Sequence, residues 1–367
     1  MPTKKPFLSI EMLPAYHGDC LWIEYGRGDE VSRILIDGGP VTTWDALSCR
    51  IAKMPPGDHA FELIVLSHVD ADHIEGIVRL FAEKPPPIAV DNVWFNGWRQ
   101  LKRNHGLLGP LQGEFLTALL ARRAKKAWNP DGPPVCVPEK GRLPAISLDG
   151  GMLLTLLSPS QMKLDAMART WKKTIEPAGI SPGDLDTAWE VLFRRKKLLP
   201  KQGLLGASDK LDKLLKKKQL TPDRAKANGS SIAFLAEFEG KRALFLADAH
   251  IGLIVESLTR LCQERGIDHL DVDAVKVSHH GSKGNISKKL LKLISSRHFL
   301  FSTNGDIFKH PDTECIEIIL ENSQNPVLCF NYESFFTMPW LKKENKSFSS
   351  YSVMGPKTIA GGIKVVL

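Results

Sequence analysis

Leu63-Ile64-Val65-Leu66-Ser67-His68-Val69-Asp70-Ala71-Asp72-His73-Ile74-Glu75-Gly76 is the stretch on which the reading of this chain turns. The apolar run Leu63 to Ser67 predicts a buried strand, and Ile74 to Glu83, closed by Pro85-Pro86-Pro87, predicts a helix. Between them lie His68, Asp70, Asp72 and His73. Imidazole nitrogens and carboxylate oxygens are ligands that Zn²⁺ and Mn²⁺ accept, and a tight turn aims alternate residues at neighbouring points. The spacing of two predicts that His68, Asp70 and Asp72 share one side, so the turn reads as a metal site.

Outward from this turn, strand patterns recur. Phe7 to Met12, Cys20 to Tyr25 and Arg33 to Asp37, the last ending in Gly38-Gly39-Pro40, predict antiparallel hairpins at the start of the fold. A helix is expected over Thr43 to Lys53 and another from Leu111 to Trp128, followed by a strand from Met152 to Leu157. Strand patterns resume with Ser231 to Phe238, Arg242 to Ala247 and Ala274 to Ser278, with a helix from about Ile251 to Arg265. His298 to Ser302, Val327 to Asn331 and Gly362 to Leu367 complete the set. Two of these strands end in polar turns, Ala247-Asp248-Ala249-His250 and Ser278-His279-His280-Gly281-Ser282. An α/β sheet brings such strand ends to one edge, where ligands bind.

The 367 residues, 43% hydrophobic and 25% charged, have a globular composition. No run approaches the roughly 20 apolar residues of a membrane span, and the N-terminus has no long apolar leader, which together predict a cytoplasmic protein. Cysteines 20, 49, 136, 262, 315 and 329 form no C-x-x-C pair and read as reduced thiols. The net charge of +8 is concentrated: Arg194 to Lys226 holds twelve Lys or Arg against Asp209, Asp212 and Asp223, leaving the rest near neutral. The block is either a solvated helical face or a footprint for a phosphate-rich partner. With few aromatic residues in it, backbone attraction outweighs base stacking as its contribution. Helical patterns from about Lys163 to Lys218 mark roughly 160–226 as a helical insertion within a single domain spanning 1–367.

Ser67 to Gly76, Leu246-Ala247-Asp248 and Val277-Ser278-His279-His280-Gly281-Ser282 together resemble the metallo-β-lactamase superfamily, and more narrowly the nuclease-like domain of the competence protein ComEC. Gly18-Asp19-Cys20, Ile34 to Gly39, Asn228-Gly229-Ser230-Ser231 and Lys309-His310-Pro311 extend the resemblance over about residues 6 to 82 and 226 to 312. It implies an αββα sandwich holding two divalent ions, Zn²⁺ or Mn²⁺. His68 and Asp70 would hold one ion, Asp72 and His73 the other, and Asp248 would bridge them. One histidine of the His279-His280 pair would complete the second site, a choice the sequence leaves open; His279 is favoured as ligand, with His280 turned toward substrate or placed behind the ligands. Asp72, Asp248 and His280 are thus the expected catalytic set. Many members carry a histidine where this chain has Asn228, which predicts a weaker first site. Only His105 lies between His73 and Asp248, in a loop-like setting. Ser282, Lys283 and His310 are candidates for substrate contact, His17 for the pocket and His250 for a supporting place.

Two such ions acidify a bridging water and stabilise both oxygens of a displacement, so the reaction class expected is metal-dependent hydrolysis. A carboxylate-rich donor set suits hard oxygen substrates, which favours phosphodiesters and, with the basic block, nucleic acid. The resemblance implies the same, and nuclease-like enzymes of this kind also serve in bacterial antiviral defence. The alternatives are a small-molecule hydrolase acting on a phosphodiester, lactone or thioester, and a non-catalytic metal-binding partner protein.

Overall fold

The computed structural model describes residues 4–101, 111–129, 133–175, 179–199, 223, 225–345, 347–348 and 350–367. Strands β1 (Pro6–Met12), β2 (Leu21–Arg27) and β3 (Glu30–Ile36) form the expected antiparallel meander, and β4 (Ala60–Val65) and β5 (Ala89–Trp94) continue it in parallel. A second sheet contains β6 (Ala145–Ser147), β7 (Leu153–Ser158), β8 (Ala233–Phe238), β9 (Lys241–Phe245), β10 (Leu270–Lys276), β11 (Ile294–Phe301), β12 (Val327–Phe330) and β13 (Ser352–Met354). The last strand, β14 (Ile363–Val366), returns to pair with β1. The sheet orders are β14-β1-β2-β3-β4-β5 and β13-β12-β11-β10-β9-β8-β7-β6, with β9 to β13 parallel.

Side-chain alternation determines how the sheets stack. Ile34, Ile36, Leu63 and Val65 point into one apolar cluster shared with Leu154, Phe234 and Leu244 of the second sheet. Their neighbours Leu35 and Ile64 point the other way, into a cluster covered by helices. That period of two puts one sheet face on each side, and both faces are buried. α1 (Trp44–Ala52), α2 (Ala71–Ala82) and the helix Leu111–Arg123 cover the first sheet. Helices Ile251–Arg265, Lys288–Leu293 and Thr313–Asn322 cover the second. The result is a four-layer αββα sandwich, as the resemblance implied.

The expected helical insertion is described in part. Helices Gln161–Ile175 and Leu185–Arg194 place Leu164, Trp171 and Leu192 in the apolar layer over the first sheet. Residues 200–222, which carry half of the cations of the basic block, lie outside the described residues. Among the described residues, no helix is long and apolar enough to cross a membrane. Cys20, Cys262, Cys315 and Cys329 are buried thiols.

α2 starts earlier than its apolar pattern predicts. The amides of His73 and Ile74 both donate to the Asp70 carbonyl, at 3.0 Å each, so Asp72 and His73 already lie in the first helical turn instead of the preceding loop. That turn rests directly on another backbone. Gly76 N donates to Gly39 O at 2.9 Å, Gly38 N donates to His73 O at 2.8 Å, and a Cβ on Gly76 would meet Gly38 O at 2.0 Å.

Candidate metal centre

Five strand ends converge on one rim. Asp37 follows β3, the Ser67 to Asp72 segment follows β4, Asp248 follows β9, His279 and His280 follow β10, and Ser302 follows β11. Asp19, in the β1–β2 connection, reaches the same place. Both sheets therefore contribute, and distant segments meet where their backbones turn.

The donors cluster around Asp248. Its Oδ2 lies 3.9 Å from His68 Nε2, 3.6 Å from His73 Nε2 and 3.7 Å from His279 Nε2, while its Oδ1 lies 3.9 Å from His280 Nε2. Asp70 Oδ2 stands 3.6 Å from His68 Nε2. Asp72 Oδ2 stands 3.7 Å from His280 Nε2 and 3.9 Å from His73 Nε2. Three groups among the described residues are close enough to hold an ion: His68, His73 and Asp248; Asp72, His73 and His280; and, behind them, Asp19, Asp37 and His73. Thus Asp72 does not share a side with His68 and Asp70, as the spacing of two predicted, because helix geometry has already turned it away.

Both adjacent histidines reach the aspartates, including His280, which the sequence-based expectation turned away from them. His280 is buried and faces Asp72, whereas His279, with 22% of its side chain exposed, reaches Asp248 beside His68. The cause is the backbone: His279 and His280 have φ of 47° and 55°, so the chain coils left-handed and splays the rings to a 6.0 Å centroid separation at 69°. Consecutive non-glycine residues in this region cost about 1–3 kcal/mol each, and such strain concentrates at sites whose surroundings impose it. Asn228, expected near the first ion, makes no hydrogen bond to Asp248 among the described residues. It stands behind His279, donating through Nδ2 to Asp223 Oδ2 at 2.7 Å, and that same oxygen lies 3.3 Å from His279 Nδ1.

Each histidine is held by its other nitrogen. His280 Nδ1 donates to Ser302 O at 2.8 Å, and His279 Nδ1 to Asn285 Oδ1 at 3.1 Å. His73 Nδ1 donates to Asp37 Oδ2 at 2.8 Å. Ser67 Oγ gives its hydrogen to the same Asp37 oxygen at 2.6 Å and so accepts from His68 Nδ1 at 3.0 Å. With Nδ1 engaged behind it, each of the four rings turns its Nε2 inward, the arrangement that metal-ligating histidines share. Nε2 of His68, His73 and His280, and Oδ1 of Asp248, are buried with no hydrogen-bond partner. Buried polar atoms without partners are costly, and divalent cations held by the first two groups would satisfy them.

Electrostatics follow from the crowding of opposite charges. Burial would raise the Asp248 carboxyl, yet His279, His73 and His280 hold it well below the usual carboxylate range. Asp72 is held at about 2 by His73 and His280 against the same burial effect. Burial alone would lower His280, but Asp19 and Asp248 push it up to about 9, and His73 and His279 also move upward. Asp19 is paired with the fully buried Lys276 at 2.6 Å, and that ammonium together with His280 and His73 holds the carboxyl down against the upward pull of burial.

Other expected residues lie nearby without joining the donors. His310 packs its ring on His279 at 5.6 Å, and burial lowers its pKa. Ser282 caps the next turn by accepting from Gly284 N, and Lys283 pairs with Glu314 at 2.6 Å. His250 is committed elsewhere, between Lys163 Nζ and Ala225 O, both at 2.9 Å. His17 packs against Phe308 at 5.8 Å. His105 lies outside the described residues. The supporting residues Asp223, Asn285 and Ser302 carry no motif, whereas two others leave a trace: Asp37 ends an apolar strand in front of two glycines, and Lys276 interrupts the apolar Ala274 to Val277.

No protein-family model and no curated protein matches the chain. Among solved structures it is similar to the metallo-β-lactamase fold protein YhfI from Bacillus subtilis, with 12% identity and a TM-score of 0.42 over 99% of this chain and 100% of that one. It is also similar to CmlA, a diiron β-hydroxylase from Streptomyces venezuelae, with 11% identity and a TM-score of 0.41 over 99% of this chain. The chain spans about half of CmlA, 54% of its length.

Proposed function

We propose that this chain is a divalent-metal-dependent phosphodiesterase that cleaves nucleic acid. The observation that carries the reading is the donor set: four inward Nε2 atoms and three aspartates, with the two oxygens of Asp248 facing different histidines. His68, Asp70 and His279 would hold one ion, Asp72, His73 and His280 the other, and Asp248 both. When bound, such ions acidify a water toward neutral pH and polarise phosphoryl oxygens. Imidazoles suit Zn²⁺, while three carboxylates bring Mn²⁺ within reach.

The chain's own residues do the rest. Asp37, Ser302 and Asn285 fix the imidazole orientations, so little reorganisation is left to binding. The partly exposed Asp70 and His279 mark the open side by which a substrate arrives, and His310 borders that side as a ring kept neutral by burial. The basic block Arg194–Lys226 supports a polyanionic partner through its charge.

Cleavage of labelled single-stranded DNA, double-stranded DNA and RNA, with Mn²⁺ and Zn²⁺ tested separately, decides the matter. Asp72→Ala should lower turnover by at least roughly a hundredfold, as removal of a group holding a catalytic ion costs several kcal/mol, while circular dichroism stays unchanged. Turnover of bis-p-nitrophenyl phosphate alone would replace this reading with a small-molecule hydrolase. No turnover of any substrate would leave a non-catalytic metal protein.

A further inference from the structure

Next to the metal centre on the same rim lies a groove of about 710 Å³. Three segments of the centre run into its wall. Tyr16 lines it three residues before Asp19, which faces His280 Nδ1 at 3.4 Å. Asn304 lines it two residues after Ser302, whose carbonyl holds His280. Lys309 lines it next to His310, whose ring meets His279. Three residues of chain span at most about 10 Å, so one molecule can occupy the groove and the centre together.

The groove is built for a planar occupant. Tyr16 and Lys309 have φ of 56° and 63°, a region that large side chains enter only when held. Tyr16 is held at both ends: its amide donates to Tyr332 Oη at 2.9 Å, and its carbonyl accepts from Asn304 N at 2.7 Å. Tyr16 remains 43% exposed, and Phe335, standing edge-on to Phe336 at 5.4 Å, is 87% exposed. Rings so open to water offer free faces for stacking.

Its charge excludes a phosphate. Asp45, Asp306 and Glu333 outnumber Lys309, the one cation among the described lining residues, and Lys309 already lies over the Phe336 ring at 5.8 Å. Aromatic faces edged by carboxylates suit a flat group with N–H donors. We infer that this groove binds an unpaired nucleobase carrying such donors, guanine foremost, beside the phosphodiester at the metal centre; the inference rests on the nuclease reading above. Guanine presents neighbouring N1–H and N2–H groups that one carboxylate accepts with both oxygens, whereas thymine presents a single N–H flanked by carbonyls that a carboxylate repels.

The test is fluorescence anisotropy of the full chain with Mn²⁺ and labelled phosphorothioate pentanucleotides, either all thymidine or with a central guanine. The guanine strand should bind about tenfold more tightly, within the usual range for a paired base edge. The double variant Asp45→Asn, Glu333→Gln should erase that ratio, and Phe335→Ala should weaken both strands by roughly tenfold. All three positions are exposed, so the fold does not depend on them. Equal affinity for the two strands in the wild type, or a ratio untouched by the double variant, overturns the inference. Parallel cleavage of unmodified strands separates the two readings: cleavage with no base preference removes the groove and keeps the nuclease, and a surviving ratio without cleavage does the reverse.

Discussion

At the scale of single residues, Asp37 shows how much of a metal centre can lie in residues that do not touch the metal. Its carboxylate receives the Ser67 amide at 2.7 Å, the Ser67 hydroxyl at 2.6 Å and His73 Nδ1 at 2.8 Å, and through Ser67 it also orients His68. Asp37→Asn puts an NH₂ group against one of these donors. Metal affinity should fall by about 10–100-fold, measured by competition with a chelating dye, and unchanged affinity would remove Asp37 from this role. The protonation of His280 leads to a second expectation. Its pKa of about 9 in the metal-free fold lies above the value near 6.5 of an unfolded chain. Its stabilising contribution is therefore complete below about pH 6.5 and lost as pH rises through about 9. Metal requires the neutral ring, so metal affinity rises over the same window. Melting curves in chelator should shift downward from about pH 6.5 to 9 while the gain from added Mn²⁺ widens; a constant gain across that range would contradict this.

At the scale of elements, the placing of α2 depends on two backbones in contact. The helix was foreseeable from its apolar pattern, but its first turn was not, because the Asp70 carbonyl and the Gly38-Gly39 loop decide where it begins. Gly76→Ala would drive a methyl group to 2.0 Å from Gly38 O, and neither atom belongs to a flexible side chain. We expect a loss of about 1–3 kcal/mol in urea unfolding together with weaker metal binding, since Asp72 and His73 ride on the displaced turn. A variant as stable as the wild type would show that the helix can slide. The hairpins β1 to β3 were legible for the opposite reason: alternation and tight turns are local, so no distant contact was needed to read them.

At the scale of the whole molecule, the rim sets a carboxylate-rich metal centre within a chain whose positive charge is concentrated in one block. If that block attracts a polyanion, neutralising Lys216, Lys217 and Lys218 together should weaken nucleic-acid binding and reduce the slope of log affinity against log salt by about two to three. An unaltered slope would assign those lysines to an ordinary solvated surface. The sequence by itself determined the chemistry of each turn and the layering of the fold, because residue type and local periodicity need no distant partner. His68, Asp70, Asp72, His73 and Asp248 could be named for that reason. Only the tertiary structure decided that His280 faces Asp72, that His279 reaches Asp248 in front of Asn228, and that Asp37, Asp223 and Asn285 hold the rings. Those relations join segments up to hundreds of residues apart and depend on a left-handed backbone at His279 and His280, which neither residue prefers and which the packed strand ends impose.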